Sequence, residues 1–158
     1  PGIRGSCQGH CHSPEGGAGF GTLEWVAYAS NAFNTMVPFY ADVDETPEYL
    51  ANTTGEVSTE NFYWTSRMIA AMADASYGKS LFHVEHYQEN VLAKSHALIN
   101  QYDALLVDEK DPEKQMELKR KANRKVAEMV QKEASATLKK VLYELSNQMK
   151  NSYARSDV

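Results

Sequence analysis

Hydrophobic and polar positions divide the chain into an unpatterned start, a short strand-like stretch and a long helical remainder. Residues 1–21 hold most of the glycines and two of the five prolines, show no periodicity and read as an irregular segment. Thr22–Ser30 is rich in aromatic and β-branched residues and predicts a strand. Its apolar residues fall on both faces, Leu23, Trp25 and Ala27 on one and Val26 and Tyr28 on the other, as in a strand covered from both sides. Thr35–Ala41 predicts a second strand, joined to the first by residues 31–34. Pro38 cannot donate a ladder hydrogen bond, so this strand is expected at an edge or with a bulge.

Beyond Val57 the period becomes helical. Residues 42–57 read as a loop, and Ser58 is the expected N-cap of a first helix carrying Phe62, Trp64, Met68, Ile69 and Met72 and ending before Gly78. A second helix is expected from near Ser80, with Leu81, Val84, Val91, Leu98, Tyr102 and Leu105 as its apolar stripe. Asp111 and Pro112 make a cap and first-turn pair for a third. There Leu118, Ala122, Val126, Met129, Val130, Ala134, Leu138, Val141, Leu142, Leu145 and Met149 mark one face. The short loop between the last two helices predicts an antiparallel pair. The fold class is therefore α+β: two strands at residues 22–41, then residues 58–158 mostly helical. Two strands do not make an independently stable sheet, so the rest of this one is expected to come from outside the sequence.

Charge changes the picture in one place. The net charge is −5, yet from Glu113 to Lys150 ten Lys/Arg face five Glu, a local +5 that leaves −10 elsewhere. An acidic body argues against a nucleic-acid binder. The run Lys119-Arg120-Lys121 with Arg124 and Lys125 lacks interleaved aromatics and reads as a solvated face, with Glu117–Lys121 and Glu128–Lys132 as i,i+4 pairs. No apolar run is long enough to span a bilayer, and the start does not resemble a secretory signal, which points away from a membrane and towards the cytoplasm.

Candidate chemistry is sparse. Cys7, His10, Cys11 and His12 are zinc-type ligands, but their spacing suits no tetrahedral site; a thiol nucleophile would need an activating base or a free amino group, and Cys7 is not at the chain start. His83 and His86 lie one turn apart in HVEH, which is neither zinc-peptidase motif. Asn52-Thr53-Thr54 matches a glycosylation acceptor, relevant only in a secretory setting. Asn31 and Asn34 lie between the two strands. Their amides could donate to a bound carbonyl or oxyanion, or simply cap the turn.

The blocks EWVAYASNAFNTMVPFYADVDETPEYL, FYWTSRMIAAMADASY and HYQENVLAKSHALINQYDALL add a different kind of information. Together they resemble the C-terminal part of the bacterial cysteine dipeptidases of the dipeptidase A family, which are N-terminal-nucleophile hydrolases. The resemblance runs from Gly21 to Leu106. It implies that residues 22–158 are the C-terminal portion of a dipeptidase domain with the closing strands of an αββα sandwich. It also implies dipeptide hydrolysis through an acyl-enzyme on an N-terminal cysteine, with no metal or other cofactor. Pro1 is not that cysteine, so the resemblance assigns no catalytic residue here and leaves Asn31 and Asn34 as substrate-pocket candidates. The expected partners are a dipeptide and the rest of the dipeptidase chain, with a homo-oligomer left open. Two other classes compete: a helical interaction module presenting its apolar stripes to a partner, and a zinc-binding domain built on the Cys/His cluster.

Overall fold

The computed structural model describes residues 21–51 and 53–148. It is an α+β arrangement in the order β1 (Leu23–Val26), β2 (Val37–Tyr40), α1 (Phe62–Ala75), α2 (Tyr77–Asp108) and α3 (Pro112–Asn147). The strands are antiparallel, with Leu23 opposite Tyr40 and Val26 opposite Val37. Residues 7–12 lie outside the described region, so the Cys/His cluster receives no structural placement.

The register explains how Pro38 is tolerated. Ala41 N donates to Thr22 O at 2.8 Å, which fixes the hydrogen-bonded rungs at alternate positions from Ala41 and leaves Pro38 and Tyr40 on the rungs between. The missing N–H of Pro38 would have pointed away from β1, so no rung is lost. Tyr40 has the same orientation, and the outer edge there is occupied. Its N–H donates to Asn123 Oδ1 at 2.9 Å and its carbonyl accepts from Asn123 Nδ2 at 3.0 Å. A side-chain amide of α3 thus stands where a third strand would pair. On the other side, the outward-facing backbone groups of Leu23 and Trp25 in β1 find no hydrogen-bond partner among the described residues.

Cover is just as asymmetric. All four residues of β2 are buried, against helices α2 and α3, whereas β1 is half-buried and Glu24 is exposed. The shortage of cover expected from the sequence therefore falls on β1 alone. The core joins Val37, Phe39 and Tyr40 to Phe62 and Ile69 of α1, Val84 and Val91 of α2, and Val126 and Val130 of α3.

Two helix boundaries differ from the sequence reading. Asn61, not Ser58, caps α1: its Oδ1 accepts from Tyr63 N at 3.0 Å and Trp64 N at 3.4 Å, while its Nδ2 donates to Ala51 O at 2.9 Å. Ser58 instead accepts from Glu60 N one turn earlier. Second, α1 runs almost directly into α2, with Ser76 between them, so α2 starts at Tyr77. Helix α1 does end before Gly78, at Ala75, and Gly78 sits inside the first turn of α2. The hydroxyls of Ser76 and Ser80, both buried, hydrogen-bond across this junction.

Helices α2 and α3 are antiparallel: His83 approaches Glu144 at 3.7 Å and Lys94 meets Glu133 at 2.6 Å, so moving up one helix moves down the other. The cap of α3 is as expected, Asp111 Oδ1 accepting from Glu113 N at 3.0 Å ahead of Pro112. The stripe of α2 is rotated from the one read in the sequence. It consists of Ser80, Val84, Tyr87, Val91, Ser95, Ile99, Tyr102 and Leu106, and leaves Leu105 exposed. Leu142 of α3 is exposed as well. The buried stripes of α2 and α3 pack against each other, α1 and β2.

The basic run is not a free solvated face. Lys119 pairs with Asp42, Arg120 holds Asp44 in a fork with both contacts at 2.8 Å, and Arg124 holds Glu45 with both at 3.0 Å. Glu117 reaches Arg120 at 3.3 Å and Arg124 at 3.7 Å, and Lys125 meets Glu128 at 2.7 Å. The loop after β2 is thus fastened to α3 by three successive ion pairs. Gly21 lies against the first of them with φ +120°, and a Cβ there would come within 2.6 Å of the Asp42 carboxylate.

Candidate functional site

The turn between the strands is where α1 and α2 meet the sheet. Residue Ala29 adopts φ 60°, in the left-handed region that a non-glycine residue rarely enters. The chain then turns on a Phe33 N to Ser30 O bond of 3.1 Å. Helix α2 grips the turn from one side. Gln88 Nε2 donates to Asn34 O at 2.9 Å and to Ala32 O at 3.3 Å, and Tyr77 packs edge-on against Phe33 with ring centroids 6.2 Å apart. On the α1 side, Tyr28 makes edge-on contacts with Phe62 at 5.4 Å and Tyr63 at 6.1 Å.

The two asparagines have different fates. Asn34 is 4% exposed, and its Nδ2 donates to Ser30 O at 3.1 Å, so it braces the turn. Its Oδ1 is buried and accepts no hydrogen bond from the described residues. Such an acceptor carries its desolvation cost without return, which makes it a standing site for an N–H donor. Asn31 is exposed, and none of the hydrogen bonds among the described residues uses its side chain. The turn therefore offers one buried amide.

Beside the turn an open cleft of about 330 Å³ is lined by Ala29, Tyr63, Arg67 and Ala70. Arg67 Nη1 donates to Tyr63 Oη at 2.7 Å, and the guanidinium lies 5.6 Å from the Tyr63 ring centre and 5.5 Å from that of Trp64. Trp64 is itself fixed through Nε1 donating to Thr54 O at 2.8 Å. Sequence reading passed over Arg67 and Gln88 because both look like ordinary helix-surface residues. The spacing of Tyr63 to Arg67, one helical turn, was the available signal for the first. Gln88 had none, since its partners lie more than fifty residues away.

The remaining titratable groups serve structure. The hydroxyl of Tyr40 donates to Asp103 Oδ1 at 2.6 Å, and burial, reinforced by that carboxylate, pushes the phenol well above its ordinary range. His83 faces Glu144, while His86 stacks on Phe82 with centroids 6.1 Å apart. Among the described residues no three His, Cys, Asp or Glu side chains cluster as a metal site, and no helix is long and apolar enough to cross a membrane.

Comparison with known proteins places this geometry in context. The sequence model of peptidase family C69 matches residues 14–90. The chain is 41% identical over 135 residues to "Probable dipeptidase A" of Streptococcus pyogenes serotype M18, covering 85% of this chain and 28% of that protein. It is 34% identical over 173 aligned positions to "Dipeptidase" of Bifidobacterium longum, covering 85% of this chain and 32% of the other. "Dipeptidase A" of Lactobacillus helveticus matches at 28% over 81 residues, 51% of this chain. The chain thus spans less than a third of the length of these relatives. Over most of its own length it resembles the bacterial dipeptidases, and in its first half peptidase family C69.

Proposed function

We propose that this chain supplies the C-terminal portion of a cysteine dipeptidase whose nucleophile lies outside these 158 residues. The observation that carries the reading is the 41% identity, across 85% of the chain, to a protein named as a dipeptidase A. In the assembled enzyme an N-terminal cysteine attacks the dipeptide carbonyl, and its own α-amino group, with an ordinary pKa of roughly 7.7–8.0, takes the thiol proton. An acyl-enzyme forms, and water releases the second product.

The chain's own share is positional. The rest of an αββα sheet joins at β1, whose outer edge has no hydrogen-bond partner among the described residues, because Asn123 closes the edge of β2. Asn34, in the turn beside the cleft, is the substrate-pocket candidate; its buried Oδ1 has no hydrogen-bond partner among the described residues and would accept from a substrate N–H once uncovered. Asn31, exposed in this chain, reaches substrate only if that added sheet covers it. No metal takes part.

A chimera tests this. The matching stretch of the S. pyogenes protein is replaced by residues 21–148 of this chain, and amino-acid release from simple dipeptides is followed. Retained hydrolysis that iodoacetamide abolishes is the expected result. A folded chimera that hydrolyses no dipeptide, beside an active parent, contradicts the reading.

A further inference from the structure

We propose that Arg67, with Ala29, Tyr63 and Ala70, forms a subsite for the carboxylate of a small peptide, namely the C-terminal carboxylate of a dipeptide. The identity of the ligand rests on the dipeptidase reading, whereas the carboxylate chemistry rests on the residues alone. Three arginines fall among the described residues. Arg120 and Arg124 are each engaged by a loop carboxylate through two contacts. Arg67 has no acidic partner among the described residues, and it is nevertheless held in place.

One of its five N–H donors goes to Tyr63 Oη, and the flanking Tyr63 and Trp64 rings orient the guanidinium. Four donors remain, enough for the two parallel bonds by which a guanidinium grips a carboxylate. The cleft in front is neutral apart from Arg67, and its volume of about 330 Å³ falls at the lower end of the roughly 300–1,000 Å³ typical of small-molecule sites. Its space exists because both flanking residues are alanines. Ala29 is also the one non-glycine residue with positive φ among those described. A backbone held in that region costs free energy and is retained where the surroundings fix it, commonly at ligand sites. The cleft adjoins the turn that carries Asn34, so a peptide anchored at Arg67 extends towards the buried amide.

The test is a titration of this 158-residue chain with alanyl-alanine and with its C-terminal amide, following the Arg67 Nε–Hε resonance by NMR. Saturable binding of the free acid is expected, with the amide at least about tenfold weaker, as befits loss of a charge-assisted bidentate contact. Arg67→Gln should weaken the acid to the level of the amide. Arg67→Lys should fall between, because it keeps the charge and loses the fork. Ala70→Leu, which fills the cleft, should block both ligands and serves if Arg67→Gln fails to fold. Equal binding of acid and amide, or acid binding unchanged in Arg67→Lys and Ala70→Leu, overturns the subsite. Because binding requires no hydrolysis, acid-selective binding together with an inactive chimera supports the subsite and sinks only the dipeptidase reading.

Discussion

Asn123 of α3 satisfies both backbone groups of Tyr40 in β2, donating to one and accepting from the other across 83 residues of sequence. The pair is buried, so neither group has water to fall back on. Asn123→Ala should therefore cost about 2–4 kcal/mol, two unmet groups at roughly 1–3 kcal/mol each less partial relaxation. Asn123→Asp keeps the acceptor but loses the donor when ionised, and should recover part of the loss at low pH, where the protonated carboxyl can donate to the Tyr40 carbonyl. Urea denaturation of the variants provides the measurement, and a loss below about 0.5 kcal/mol for Asn123→Ala would show that the edge is not closed in this way.

Tyr40 and Tyr87 are both buried, yet their hydroxyls are not equivalent. That of Tyr40 donates to Asp103, whereas that of Tyr87 reaches no protein partner among the described residues. Tyr40→Phe should destabilise by about 1–2 kcal/mol, and Tyr87→Phe should be neutral or slightly stabilising, since it removes a hydroxyl whose burial nothing offsets. The pair also predicts alkaline behaviour. Burial raises both folded-state pKa values above the unfolded value of roughly 10, so above that pH the unfolded chain alone releases protons and stability falls as pH rises. Each phenylalanine variant should lose part of that alkaline slope in chemical denaturation.

The fork between Arg120 and Asp44 makes a prediction at the other end of the pH scale. The guanidinium holds the Asp44 carboxyl below its usual range. The contribution is therefore present above roughly pH 4 and is lost as pH falls through the lower folded-state value. Asp44 is exposed, so salt should screen the effect, and Asp44→Asn should flatten part of the acid limb at low ionic strength only. Acid titrations followed by circular dichroism at two salt concentrations would show it.

Gly21 is a separate case, because φ +120° excludes an ordinary side chain whatever space surrounds it. Gly21→Ala should destabilise by about 1–3 kcal/mol. The Asp42 carboxylate against the new Cβ can rotate away only by loosening its pairing with Lys119. A thermal-melt comparison of Gly21→Ala, Asp42→Ala and the double variant would reveal the coupling as non-additivity.

Helix existence and pairing were legible because they depend on local caps and on period: Asp111 and Pro112 mark the start of α3 without reference to anything distant. The junction at Ser76 was not. Glycine at 78 imitates a helix stop, and only tertiary packing of Ser76 and Ser80 reveals continuation. Polar residues on an apolar face were also opaque. Asn123 and Lys119 break the stripe of α3, and their partners Tyr40 and Asp42 are some eighty residues away. At the site, Asn31 and Asn34 look alike in sequence. Burial separates them, and Gln88 from another helix helps to fix the segment in which Asn34 lies. Arg67 became a candidate only once the backbone at Ala29 and the cleft beside it were known.

The most direct test of the central claim is thiol-dependent dipeptide hydrolysis by this 158-residue chain alone, compared with a chain extended to the length of its dipeptidase relatives. Release of amino acids by the extended chain, abolished by iodoacetamide, and none by the 158 residues is the predicted result. Hydrolysis by the isolated chain that disappears on replacing Cys7 or Cys11 would contradict it, because the nucleophile would then lie within this sequence.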